Sequence, residues 1–62
     1  MVTEEKLIQL AQDIVDRYRE AREHEWYPFE EHYGKELDAY RRFIKTLTGK
    51  SIKVSEWKVT LE

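Results

Sequence analysis

Residues 29–49 read FEEHYGKELDAYRRFIKTLTG, and the folding of this stretch decides the architecture of the chain. Phe29, Tyr33, Leu37, Tyr40, Ile44 and Leu47 follow one another at steps of four and three. An α-helix turns once in about 3.6 residues, so this spacing lines all six side chains on one stripe. Pro28 lacks an N–H and suits a first turn, where that group has no intrahelical partner. Glu30 and Glu31 fall near the positive end of the helix dipole. Gly49 fits the left-handed residue that stops a helix. The expectation is a helix over about 28–47.

Gly34 inside that span costs roughly 1 kcal/mol relative to alanine. Either it admits a close neighbour, with Ala21 the candidate, or it ends a short turn and the main helix starts at Lys35. The stripe keeps its phase from Phe29 through Leu37, which favours the close approach.

Working outward, Leu7, Ala11, Ile14, Tyr18 and Ala21 make a matching stripe upstream, widened by Ile8, Leu10 and Val15. Thr3 is a suitable N-cap, with Glu4 and Glu5 in the first turn. A helix over about 3–24 follows, and Glu25-Trp26-Tyr27 is too short a connector to allow anything but an antiparallel pair. Downstream the period changes to two. Ile52 and Val54 share one parity; Trp57, Val59 and Leu61 share the other. The slip at Ser55-Glu56 implies a tight turn between two strands or a bulge in one. The fold class is therefore α+β: an antiparallel helical hairpin followed by a short C-terminal β-hairpin or strand, over about 50–61, packed on it.

Phe43-Ile44-Lys45-Thr46-Leu47-Thr48-Gly49-Lys50-Ser51-Ile52 resembles the first hairpin of ubiquitin. That resemblance implies a strand over Arg42–Leu47 and a second helix ending near Tyr40. It covers ten of 62 residues. Two helices precede the stretch, and the terminal Gly-Gly used for conjugation in that family is missing, so no ubiquitin function carries over. Ile44 and Leu47 continue the helical stripe, which keeps the helix as the primary expectation.

Sixty-two residues make a single small domain, 1–62. A core of this size supplies roughly 3–5 kcal/mol at best. Cysteine is absent, which rules out disulfides and thiolate zinc sites and fits a cytoplasmic location. Eight aromatic rings are expected to be the main source of buried area. No apolar run is long enough to span a membrane, and Glu4 and Glu5 stand where a signal peptide would be basic. The chain lacks asparagine, and Leu61-Glu62 matches a dipeptide left by tag cloning; both are consistent with an engineered or designed origin.

The net charge of −2 weighs against a nucleic-acid binder. It is unevenly spread: residues 1–34 hold four basic and nine acidic groups, and residues 35–62 hold seven and four. Three constellations stand out. Glu23-His24-Glu25 and Glu30-Glu31-His32 meet at one end of a helical hairpin, but zinc wants three convergent ligands in tight spacing, and polar rimming of a loop is the stronger reading; no metal or cofactor is expected. Trp26, Tyr27 and Phe29 either cap the open end of the helix pair or form a binding hot spot. Arg41, Arg42, Lys53 and Trp57, with Phe43 and Lys45, suggest a basic surface with interleaved aromatics, although lysines on a strand also guard its edge. No set of nucleophile, acid and base can be assembled, so an enzyme is not expected. The reading is a small interaction or scaffold domain that binds a protein partner or itself, as a homodimer, through its sheet edge or an aromatic face. Charge asymmetry would assist a head-to-tail encounter of two copies. The alternative is nucleic-acid or acidic-protein binding through the basic C-terminal half.

Overall fold

Thr3 sits in extended backbone and its hydroxyl accepts from the Lys6 N–H at 3.2 Å, which starts helix α1 (Glu4–Glu23). The computed structural model describes residues 3–62. At the far end of α1 the chain reverses through a paired-bond cap. The Trp26 N–H donates to the Ala21 carbonyl at 2.8 Å and the Glu25 N–H to that of Arg22 at 3.2 Å. Glu25 holds the left-handed position at φ 57°, where glycine is the usual occupant.

Helix α2 (Tyr27–Thr48) starts at once, with Pro28 in its first turn, and runs unbroken through Gly34. Gly49, at φ 76°, stops it, and its N–H donates to the Lys45 carbonyl at 2.9 Å. The stretch resembling a ubiquitin strand is therefore helical through Thr48. Ile44 sits on the inward face of a helical turn, and Thr48 bonds back to the Ile44 carbonyl at 2.8 Å.

The helices are antiparallel. The Tyr40 hydroxyl donates to the Leu7 carbonyl at 3.0 Å near one end, and the Tyr18 hydroxyl to Glu30 at 3.4 Å near the other. Gly34 does admit a close neighbour, but it is Tyr18, not Ala21. A Cβ at position 34 would lie 3.4 Å from the edge of the Tyr18 ring.

The tail forms a two-stranded antiparallel sheet, β1 (Ile52–Ser55) with β2 (Lys58–Leu61), in register Ile52 with Leu61 and Val54 with Val59. The two-residue loop is Glu56-Trp57, one place later than the parity slip indicates, so Trp57 belongs to the turn and not to a strand. Ile52 and Val59 join Leu7, Ala11, Val15 and Ile44 in the core, with Leu61 packed against them. Leu61 ends β2, and just past it Glu62 exchanges both backbone bonds with Ser51, at 2.7 and 2.9 Å. Among the described residues, no helix is long and apolar enough to cross a membrane.

Two sequence expectations about burial need correction. The core is aliphatic: every buried side chain among the described residues is leucine, isoleucine, valine or alanine. Of the eight rings, Tyr18, Tyr33, Tyr40 and Trp57 are half-buried, and Trp26, Tyr27, Phe29 and Phe43 are exposed. The ends of the α2 stripe, Phe29 and Leu47, are also exposed. The sheet covers only one side of the helix pair, and the other flank of a wide stripe has no third layer to meet.

Two outcomes follow. Gly34→Ala is expected to raise stability by about 0.5–1 kcal/mol, because the helix gains propensity and the methyl meets Tyr18 at ordinary contact distance; urea unfolding reads it. Burial raises the Tyr40 pKa above its ordinary 10.0. The folded state then holds the phenol proton more tightly than the unfolded chain. That contribution to stability is complete below about pH 10 and fades as pH climbs through the folded value. Tyr40→Phe should cost about 0.5–1.5 kcal/mol at neutral pH and flatten this alkaline loss in thermal melts recorded from about pH 8 to 11.

Candidate functional site

The side of α1 that meets the sheet is marked by Gln12 and Arg19. Gln12 bonds β2 directly, and Arg19 lies over the Trp57 ring. At about 100° per residue, Leu10, Arg17 and Ala21 stand about 140–180° round the helix from Gln12. On α2 the same angular step puts Phe29, Tyr33, Glu36, Tyr40, Phe43 and Leu47 within an arc of about 80°. Arg17, Glu20 and Ala21 share a groove of about 180 Å³ with Trp26, Phe29 and Tyr33, which joins the two helical stripes into one face. This face lies away from the sheet.

The six α2 residues recur at strict 4-3-4-3-4 spacing, the seam repeat of a coiled coil. Phe43 packs beside Tyr40, with tilted rings whose centres are 6.3 Å apart. Phe29 is 56% exposed, Phe43 56% and Leu47 58%, on a chain otherwise coated with charge. Charged groups interrupt the face: Arg17 and Glu20 on α1 and Glu36 on α2. Glu36 lies 3.5 Å from the His32 imidazole, while Arg17 makes no ion pair among the described residues.

Trp26, Tyr27 and Phe29 are each more than half exposed, so they do not seal the end of the helix pair. His24 stacks on Trp26 at 4.9 Å, and Phe29 meets Trp26 edge-on at 6.3 Å. Phe29 and Trp26 belong to the apolar face; Tyr27 turns to the opposite flank. There it walls an open groove of about 410 Å³ above Gly34, lined also by Tyr18, Glu30, Glu31, Lys35 and Asp38. Lys35 pairs with Glu31 there at 3.2 Å.

The basic set is dispersed. Arg42 pairs with Asp38 at 3.3 Å, Lys53 with Glu62 at 3.4 Å and Lys50 with Glu4 at 2.7 Å, and Arg41 is exposed on α2. Trp57 lies against α1 instead, 6.1 Å from the Tyr18 ring and beneath the guanidinium groups of Arg19 and Arg22, at 5.6 and 5.9 Å. His24 and His32 take separate partners, and no group of three potential ligands gathers among the described residues.

Trp57 is held by its backbone as well. Glu56 and Trp57 have φ of 51° and 65°, the pair of left-handed residues of a type I′ turn. Side chains this large seldom adopt that conformation, at a cost of about 1–3 kcal/mol each. The Gln12 side-chain amide meets the turn from outside. Its NH2 donates to the Trp57 carbonyl at 2.9 Å, and its oxygen accepts from the Val59 N–H at 3.0 Å. This pairing copies a strand on the outer edge of β2. Sequence reading missed Gln12, because a lone glutamine on a helix carries no signal of a partner 45 residues away.

The chain matches no family model, no curated protein and no solved structure in comparisons with each.

Removing the amide leaves two half-buried backbone groups unanswered beside a strained turn. Gln12→Ala is expected to cost about 1–3 kcal/mol and to speed hydrogen exchange at Val59 more than at Leu37, read by amide exchange in NMR.

Proposed function

We propose that this protein is a small non-catalytic interaction module that docks a protein partner on the sheet-free face of its helical hairpin. One observation carries the reading: Phe29, Phe43 and Leu47 stand open in a seam-spaced row on α2, while Ile44, one residue from Phe43, is fully buried. Large exposed apolar groups in a contiguous row are uncommon on small monomers and mark places where another surface packs. The rigid backbone beneath suits docking, since the row sits on a single unbroken helix capped at its C-terminus.

If the row is spare surface, changing it leaves the fold intact. Phe43→Lys and Leu47→Lys are each expected to cost less than about 1 kcal/mol, because the lysine stem covers part of the lost area. Ile44→Ala should cost about 2–5 kcal/mol. Urea unfolding at low micromolar concentration, where mass action favours the monomer, separates the two cases. A loss of more than about 2 kcal/mol in either lysine variant would place the row in the protein's own core and end the reading.

A further inference from the structure

We infer that the partner on this face is a second copy of the same chain, stacked two-fold so that α1 of each copy lies along α2 of the other in a four-helix bundle. This rests on the reading of the face as a docking surface.

Three features point to a second copy. The first is period. The α2 row keeps its 4-3-4-3-4 spacing for its whole length, with Phe29, Phe43 and Leu47 open along it, and Leu10 and Arg17 are exposed on the same side of α1. A seam of this regularity is the surface that another long helix covers by knobs-into-holes packing, and two hairpins facing one another supply four such helices. The second is length. The row from Phe29 to Leu47 runs about 27 Å at 1.5 Å per residue, and α1, at 20 residues, is long enough to cover it.

The third is charge. Arg17 and Glu36 on the face have opposite sign and lie on different helices, with Glu20 about one turn beyond Arg17 on α1. Arg17 stands beside Tyr33 in the shared groove, and Glu36 follows Tyr33 by about one turn. With the two-fold axis parallel to the helices, α1 of one copy crosses α2 of the other in antiparallel sense at the same level. Each Arg17 then meets Glu36 of the facing copy, twice per dimer. A self-complementary pair of this kind is what an isologous interface requires. Stacking α1 on α1 instead sets α2 on α2, so Arg17 of one copy no longer faces Glu36 of the other.

The test is sedimentation equilibrium from about 5 µM to about 1 mM on four chains: native, Arg17→Glu, Glu36→Arg and the double variant; circular dichroism confirms that each is folded. The native chain should dimerise, and each single reversal should weaken the dimer at least about tenfold, since two like-charge contacts replace two attractive ones. Mixing the two single variants should restore a heterodimer. In that mixture both cross-copy contacts again join opposite charges, one in the native sense and one with the signs exchanged. The double variant should dimerise alone for the same reason. A native dimer indifferent to both reversals overturns the stacking, as does a mixture that fails to recover association. A native chain that stays monomeric at the highest concentration overturns the second copy as partner. If Phe43→Lys and Leu47→Lys nonetheless leave stability unchanged, the docking-face reading itself survives.

Discussion

The antiparallel contact between α1 and α2 is what the remaining structure depends on. At one end Ile44 is closed into a cluster with Leu7 and Ala11; at the other the ring of Tyr18 lies over the bare backbone of Gly34. The first contact is aliphatic and dry. The second uses a missing side chain to bring the helices together where a ring must fit between them. Tyr40 and Tyr18 each add a hydroxyl bond across the seam, to Leu7 and Glu30. Those bonds fix the sense and level of the pairing, which burial alone leaves free to slide.

The hairpin is secondary to that pair. Two strands of four residues are marginal on their own, and this pair carries a left-handed tryptophan in its turn. Its stability comes from elsewhere: Ile52 and Val59 are buried against the helices, the Trp57 ring lies under two arginines of α1, and Gln12 answers the outer edge. The helices must be in place before any of these contacts exists. The sheet in turn completes the cluster: Val15 lies in it with Ile52 and Val59, and Ile8 packs against it.

The elements were legible because each carries a local signal: the stripes of the two helices, the Thr3 and Gly49 caps, and the change of period after Gly49. The neighbour of Gly34 was not, since periodicity reports which side faces inward and not which residue waits there. The turn fell one place from its expected position because Glu56-Trp57 carries none of the asparagine or glycine that usually announces a type I′ turn; tertiary contacts outweighed local preference. The proposed docking face was half visible. Phe29, Tyr33, Tyr40 and Leu47 belong to the stripe read from the sequence, but Glu36 and Phe43 flank it, and the same spacing describes a covered stripe and an open one. Which part stays open depends on where the third layer lands, and that is decided by the register of a hairpin distant in sequence.

The sheet has two outer edges, and they are not alike. Ser51 and Glu62 form a bonded pair, so by alternation the Val54 and Val59 backbone groups point outward, away from one another. Val59 is answered by Gln12; Val54 has no hydrogen-bond partner beyond the hairpin among the described residues. The two margins therefore present different obstacles to a visiting strand. One arriving at β1 would meet the outward groups of Val54 directly, whereas one arriving at the turn end of β2 would first have to displace the Gln12 amide.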